Sequence, residues 1–256
     1  MDVVTERLLT RLSTVGQWLL DLVYPRDCFF CGRPPAHGHI CLDCLALLPL
    51  RRNASCAVCG LESLEPVAPA FLCPDCRRHL PAFEQAIIVA RYDNAVRDLV
   101  HAFKYHRGLY LLEDLSLLLV SKYLDFFVAG RIAVDAVVPV PMTRAKCRQR
   151  GFNQAQLLAR AFARHKQVRL PCLEKCLRRV ETGVLSQTRL HRDERKENAL
   201  DAYLFAGDRR AVEGKTLLLV DDVMTTGATC HACARQLRNA GAAKVYALVL
   251  ARPLAF

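Results

Sequence analysis

The chain lacks the sequence features of several large protein classes. No run of 18 uncharged apolar residues occurs, so no helix is expected to span a membrane. Neither of the common glycine-rich nucleotide loops, GxxxxGK(S/T) and GxGxxG, is present, which argues against P-loop and Rossmann-type nucleotide binding. Charged side chains interrupt the first 24 residues, so no clean signal-peptide core is found there. We therefore expect a cytoplasmic protein.

Aromatic residues are scarce too, at 7% of the chain with a single tryptophan. A surface that stacks the bases of single-stranded nucleic acid needs aromatic side chains, so composition gives such a surface only modest support. The net charge of +11 nevertheless fits a polyanionic partner, either a diphosphate or nucleic acid. With 256 residues and 52% apolar content, the chain has room for one α/β domain and a small module.

Residues 1–24 are the first distinct segment. Apolar residues recur there at helical spacing with arginine and glutamate between them, which predicts an amphipathic helix. The mixed sign of its charges favours packing against the rest of the chain over binding to a membrane surface.

Eight of the thirteen cysteines fall in four CxxC pairs within residues 25–80. In a reducing compartment this pattern indicates metal rather than disulfides, and two pairs supply the four thiolates of a tetrahedral zinc ion. We predict about two structural zinc ions, because so short a segment has little core of its own. Neighbouring or interleaved pairs could form the two sites, and the spacing leaves both pairings open. The eight predicted ligands are Cys28, Cys31, Cys41, Cys44, Cys56, Cys59, Cys73 and Cys76.

Residues 81–256 have the pattern of an α/β domain. Short apolar runs at 86–92, 134–140, 217–220 and 243–251 alternate with helical segments. Strands that are apolar throughout are buried on both faces, as in a parallel sheet. We therefore predict a mainly parallel sheet flanked by helices, preceded by the cysteine-rich module.

The most informative stretch follows the predicted strand at 217–220. Asp221 and Asp222 stand at the end of that strand, and a small hydroxyl-rich loop leads into a helix. The loop amides and the helix N-terminus can cradle a phosphate, while the loop glycine allows close approach. The carboxylates suit the vicinal hydroxyl groups of a ribose. The loop consists of Thr225, Thr226, Gly227, Ala228 and Thr229.

Two polar stretches provide further candidates. A basic run containing Arg144 and Arg150 lies just past the strand at 134–140, where ligands bind in open α/β sheets. Such a run is often a solvated face, but its position between a buried strand and the next helix favours an anion site. Residues 175–203 form a long polar segment, which indicates a functional or mobile loop.

The run at 217–230 resembles the 5-phosphoribosyl-1-pyrophosphate (PRPP) signature of type I phosphoribosyltransferases. From about residue 24 onward, the chain resembles the ComF (competence protein F) and GntX-like proteins of that fold. The segments that carry this second resemblance include the double CxxC module, the VPVP loop leading to Arg144, and RGFNQ at 150–154. The resemblance implies a type I phosphoribosyltransferase fold behind a double zinc-binding module.

The resemblance also implies roles for individual residues. Asp221 and Asp222 would hold the ribose diol of PRPP, and residues 225–229 its 5-phosphate, with Mg²⁺ bound alongside PRPP. Candidate pyrophosphate contacts are Arg144 and Arg150, with Lys104 as a further one. A mobile cover over the site would include Gln187, Arg192, Arg195 and Asn198.

The loop differs at one position from that of the transferases that salvage 6-oxopurines. Those enzymes carry an acidic residue where this chain has Thr225. Salvage of hypoxanthine or guanine is therefore not expected, and the acceptor stays open. One hypothesis is Mg²⁺-assisted transfer of a phosphoribosyl group by a protein linked to DNA uptake and natural transformation. The alternative is a non-catalytic competence protein that binds single-stranded DNA and uses PRPP as a regulatory ligand. Both hypotheses imply competence or DNA-processing proteins as partners.

Overall fold

The computed structural model describes residues 26–50, 54–63, 70–105, 108–180 and 202–254. The chain divides into two compact units, Met1–Leu47 and Leu48–Phe256. The amphipathic helix predicted for residues 1–24 lies outside the described residues. No helix within these ranges has the length and apolar character needed to cross a bilayer.

Seven helices and eight strands make up most of the regular structure in the described ranges. The helices are α1 (Leu42–Leu47), α2 (Pro74–Arg78), α3 (Asn94–Tyr105), α4 (Leu112–Tyr123), α5 (Arg144–Arg150), α6 (Gln154–Arg164) and α7 (Ala228–Asn239). The strands are β1 (Ser55–Cys56), β2 (Ala70–Phe71), β3 (Ala86–Arg91), β4 (Ala136–Pro139), β5 (Leu177–Arg179), β6 (Tyr203–Phe205), β7 (Thr216–Val223) and β8 (Lys244–Arg252). Two 3₁₀ turns, Gly108–Leu111 and Arg209–Ala211, and a π-helical turn, Leu124–Val128, complete the described elements.

A four-stranded sheet in the order β3-β8-β7-β4 forms the centre of the second unit, and all of its strand pairs are parallel. Leu217 to Val220 on β7 are fully buried, as expected for a strand covered on both faces. Leu217 and Leu219 belong to the same core cluster as the buried side of α7. Because side chains alternate along a strand, Leu218 faces the opposite layer, which contains α4 and α6. The predicted parallel sheet flanked by helices is confirmed.

The basic run after β4 differs in detail from the expected loop, since it forms the short helix α5. The Thr143 hydroxyl caps its start by accepting a hydrogen bond from the Lys146 amide at 3.3 Å. Gly151 ends the helix with φ of 89°, a left-handed conformation that favours glycine. The helix holds Arg144 and Arg150 at opposite ends, about 9 Å apart along the axis.

A hydrogen bond of the His231 side chain anchors the start of helix α7. The ring Nδ1 accepts a hydrogen bond from the backbone N–H of Ala82 at 2.8 Å. Burial, and then the positive charge of Arg235, lower the pKa of His231, so the neutral acceptor form is favoured. Since the folded-state pKa is lowered, the resulting stability is present above the unfolded value of about 6.5 and is lost as pH falls through the folded pKa.

We expect His231→Asn to keep most of the stability near neutral pH, because the amide oxygen can replace Nδ1 as the acceptor. This variant should lose less stability than the wild type between about pH 7 and pH 5, because it does not titrate. His231→Ala should cost about 1 kcal/mol at neutral pH, since Ala82 loses its partner. Urea unfolding across this pH range gives the free energy of unfolding of the wild type and both variants. An identical pH dependence in wild type and His231→Asn would contradict the assignment.

Candidate functional site

The acid pair lies at the carboxyl end of β7, within the last part of the strand. Asp221 still pairs with Val249 of β8. The Asp222 amide donates to Asp221 Oδ1 at 2.9 Å, and the Val223 amide donates to Asp222 Oδ1 at 2.9 Å. One oxygen of each carboxylate is therefore held by the backbone, which fixes the orientation of both groups and leaves the second oxygen for another partner.

Lys104, in the last turn of α3, forms an ion pair with Asp222 Oδ2. Both side chains are mostly buried, at 21% and 14% exposure. Burial and the adjacent charge of Asp222 raise the pKa of Asp221 well above its usual value, and Lys104 partly opposes this rise. The structure thus brings together Lys104 and the acid pair, which are far apart in sequence, and Lys104 balances one negative charge.

The small loop after the acids folds around a narrow pocket. Met224 is buried beneath it, and its amide continues the sheet by donating to Ala251 at 3.0 Å. Gly227 has φ of 84° at the N-cap of α7, so a side chain there would be strained. Thr226 Oγ1 accepts from the Ala228 amide at 3.3 Å.

The pocket has a volume of about 40 Å³, enough for about three water-sized groups and so for a single phosphate rather than a whole nucleotide. Its walls are formed by Asp221, by Val223 and by all residues from 224 to 230, which are the loop and the first turn of α7. Because α7 has twelve residues and its N-terminus opens into this pocket, the helix dipole favours an anion there.

Arg150 at the end of α5 contacts Tyr105, the residue after Lys104. Its Nη2 donates to the Tyr105 hydroxyl at 2.7 Å, and its guanidinium carbon lies 4.6 Å from the ring centroid. Tyr105 is 59% exposed. Lys104 and Tyr105 thus connect the acid pair with one end of the basic helix, whereas Arg144 at the other end is exposed. The Lys104–Tyr105 helix end is part of the resemblance to the ComF and GntX-like proteins, but sequence reasoning assigned no role to Tyr105.

The RGFNQ segment joins α5 to the sheet. Asn153 Nδ2 donates to the Val140 carbonyl at 3.1 Å, and its Oδ1 accepts from the Ala155 amide at 3.1 Å. Phe152 packs against Phe103 with ring centroids 6.1 Å apart. Asn153 therefore caps α6 and anchors the strand end, so this segment positions the basic helix.

The antiparallel pair of β5 and β6 adds two residues to which sequence reasoning gave no individual role at the site. Tyr203 is buried and hydrogen-bonds the side chain of Thr229, the last residue of the loop; burial raises its pKa. Arg179 lies over the Tyr203 ring, with its guanidinium carbon 5.3 Å from the centroid. The predicted cover residues between β5 and β6, namely Gln187, Arg192, Arg195 and Asn198, lie outside the described residues.

The eight cysteines of the CxxC pairs form two groups from neighbouring pairs, so the pairing is not interleaved. In each group the four sulfur atoms lie within 4.8 Å of one another. Close separations are 3.7 Å for Cys31–Cys41 and 3.6 Å for Cys59–Cys73. Sulfur atoms about 2.3 Å from a tetrahedral zinc ion would be about 3.8 Å apart, so both donor sets fit zinc. We call them the first and second cysteine groups: Cys28, Cys31, Cys41 and Cys44, and Cys56, Cys59, Cys73 and Cys76.

The two groups repeat the same local geometry. In the first, the Cys41 amide donates to Cys28 Sγ at 3.4 Å, and in the second the Cys73 amide donates to Cys56 Sγ at 3.4 Å. Burial raises the pKa of the Cys28 and Cys56 thiols, but backbone N–H donors outweigh it and lower them to about 6 and about 7. Each group therefore favours a thiolate, the form that binds metal, at its first cysteine. Burial raises the pKa of Cys44, Cys59 and Cys76.

Comparison with known proteins agrees with this two-part organisation. A double zinc ribbon domain matches residues 19–77, and a phosphoribosyl transferase domain matches residues 147–255. Among solved structures, an allosteric regulatory enzyme of purine biosynthesis aligns with 54% of this chain and 25% of its own, at 20% identity and a TM-score of 0.34.

Several known proteins match almost end to end. DNA utilization protein YhgH of Escherichia coli K12 is 31% identical over 238 residues, covering 91% of this chain and all of that protein. Competence protein F of Haemophilus influenzae is 26% identical over 223 residues, covering 83% and 96%. Competence protein ComFC of Bacillus subtilis is 26% identical, covering 83% and 84%. The chain therefore belongs to the family of the competence protein F and DNA utilization proteins, with a double zinc ribbon and a phosphoribosyl transferase domain in one chain.

Proposed function

We propose that this chain binds PRPP together with Mg²⁺ at the carboxyl end of the sheet and transfers its phosphoribosyl group to an acceptor during the handling of incoming DNA. The observation that carries this proposal is the pocket that Asp221 shares with the Thr/Gly loop, with Asp222 next to Asp221 in the strand. The pocket fits one phosphate, and the acids beside it suit hydroxyl donors.

The second carboxylate oxygens of Asp221 and Asp222, the latter shared with Lys104, would accept hydrogen bonds from the ribose diol. Residues 225–229 would hold the 5-phosphate through their amides and hydroxyls. Mg²⁺ prefers carboxylate and phosphate oxygens, and when bound it neutralises charge on the leaving pyrophosphate. Lys104 already contributes one positive charge at Asp222, so it would help to keep the acid pair from repelling the polyanionic ligand.

Arg150 and Arg144 are proposed as pyrophosphate contacts. The hydrogen bond and ring contact hold the guanidinium of Arg150 against Tyr105, the residue after Lys104, and preorganised cations of this kind stabilise charge that develops on a leaving group. Arg144 is exposed at the far end of α5, so its contact would require PRPP to extend along the helix.

A second candidate is supported by the same surface. Tyr105 is exposed and has Arg150 on its ring, while His101 lies 4.9 Å away between ring centroids. An exposed aromatic ring beside a guanidinium is what single-stranded nucleic acid uses for base stacking and phosphate contact. In this alternative the chain binds single-stranded DNA without catalysis, and PRPP acts as a regulatory ligand.

We expect the double variant Asp221→Asn/Asp222→Asn to weaken PRPP binding in the presence of Mg²⁺ by at least about 10-fold. Each lost charged hydrogen bond costs roughly 1.5–3 kcal/mol. Titration calorimetry gives the affinity, and thermal unfolding confirms that the variant is folded. The matched control is Asp125→Asn, which neutralises an exposed carboxylate outside the pocket. Unchanged affinity in the double variant would overturn the ribose assignment.

The variants Arg150→Gln and Arg148→Gln distinguish the two candidate functions. The two arginines are separated by about 200° around α5 and therefore point to opposite sides. Arg150→Gln should weaken PRPP binding about 10-fold or more, while Arg148→Gln should leave it nearly unchanged. If instead Arg150→Gln leaves PRPP binding intact and lowers the salt dependence of DNA binding by about one ion, the DNA-binding alternative is supported.

The protein purified without added metal should contain about two zinc ions per chain, one in each cysteine group. The metals are expected to be structural, because all four thiols of each group are used as ligands and none is left for a substrate. Elemental analysis gives the ratio. A ratio near zero, with disulfides detected by mass spectrometry, would contradict the prediction.

A further inference from the structure

Arg252 is the last residue of β8, and its backbone lies beside the phosphate loop. It pairs with Arg91 of β3, and its carbonyl accepts from the Tyr92 amide at 2.8 Å. The preceding residue, Ala251, pairs with Val223 at the end of β7 and accepts from the Met224 amide, where the loop begins. Arg252 therefore directly follows the residue whose carbonyl holds the start of the loop.

The side chain of Arg252 reaches the second cysteine group. The residue is only 7% exposed, and its Nη1 donates to the carbonyl oxygen of Cys59. Its Nε has no hydrogen-bond partner, and no carboxylate forms an ion pair with it among the described residues. A guanidinium cannot lose its proton in a protein, and a buried charge without a counter-ion costs several kcal/mol. A negative charge close to Cys59 would therefore stabilise the buried guanidinium of Arg252.

A zinc ion in the second cysteine group provides that charge. Four thiolates and one Zn²⁺ carry a net charge of −2, and all four cysteines of this group are buried. The first group is different, because its neighbouring arginine, Arg33, is 66% exposed and is paired with Asp43 at 3.0 Å. Among the described residues, the second group thus has a buried arginine from the four-stranded sheet as its neighbour, whereas the arginine beside the first group is exposed.

Two further contacts join the second cysteine group to the same sheet. The carbonyl of Val58, between Cys56 and Cys59, accepts from the Ala86 amide at 2.7 Å, at the start of β3. The Val58 side chain packs against both the sheet core and the cysteine cluster. Together with the Arg252 contact, these contacts attach the second group to the four-stranded sheet. The division of the chain after Leu47 agrees, because it places the second group and the sheet in the same unit, Leu48–Phe256.

We propose that Arg252 is the buried counter-ion of the zinc–thiolate group at Cys56, Cys59, Cys73 and Cys76, and that it couples metal at this group to the position of the phosphate loop. Loss of metal from the second group leaves the Arg252 charge uncompensated, so the end of β8 and the loop that starts at Met224 become less ordered. Metal in the first group has no such effect. The consequence for PRPP affinity rests on the proposed function, whereas the consequences for zinc retention and loop order do not.

Zinc release from the full-length, zinc-loaded protein tests the first half of the proposal. Release to a chromophoric chelator is followed in wild type, Arg252→Gln, Arg252→Lys and the matched control Arg33→Gln. Arg252→Gln should release one zinc per chain about 10- to 100-fold faster, the usual effect of removing a partner of metal ligands. Arg252→Lys should restore most of the retention because it keeps the charge, and Arg33→Gln should change release less than about threefold. Unchanged release from Arg252→Gln would overturn the proposal.

Hydrogen exchange on the wild type tests the second half without requiring any variant to fold. The chelator removes zinc stepwise, and mass spectrometry then measures amide exchange in the peptide containing residues 224–230. Exchange should accelerate when the second group loses metal and stay unchanged when only the first group does. Alkylation of the freed thiols, followed by mass spectrometry of the peptides that carry each cysteine group, reports which group is empty. Loop exchange that is insensitive to metal in the second group would overturn the coupling, even if PRPP never binds.

Discussion

The parallel pairing of β7 with β4 and β8 is the constraint on which the functional arrangement depends. This register places Asp221 beside Val249 and the Met224 amide on the carbonyl of Ala251. As a result, the acid pair, the Thr/Gly loop at 225–229 and the start of α7 meet at one end of the sheet. The fully buried residues 217–220 hold that register, because a shift by one residue would turn each buried side chain to the wrong layer.

Charge balance at this end of the sheet is the second recurring feature. Asp221 and Asp222 lie side by side in a partly buried position, which by itself disfavours two negative charges. Lys104 offsets one of them from α3, and the adjacent Tyr105 holds Arg150 from α5. Two helices and a strand thus contribute to a single electrostatic arrangement, in which both cations belong to segments that precede the acids by more than seventy residues.

The two cysteine groups are alike in ligand geometry but differ in surroundings. Each group repeats the same N–H to sulfur hydrogen bond. The first group lies in the unit Met1–Leu47 and has an exposed arginine beside it. The second group lies in the unit Leu48–Phe256, with Arg252 buried against it. Under the proposal above, zinc would serve two purposes in this protein. In the first group it would support a small fold, and in the second it would also be linked to the end of β8.

The sequence alone determined the local chemistry of this protein. The apolar run at 217–220, the acid pair and the Thr/Gly loop specify a strand, a turn and a helix N-terminus, because all three are set by neighbouring residues. The four CxxC pairs supply two sets of four thiols with zinc-ligand spacing for the same reason. The tertiary structure decided which CxxC pairs combine into a four-cysteine group. It also decided that Lys104 pairs with Asp222 and that Tyr105 holds Arg150. The contacts of Tyr203 with Thr229 and of Arg252 with Cys59 were likewise decided by the tertiary structure. These contacts join residues far apart in the chain, so they depend on strand order and packing, which spacing in the sequence does not encode.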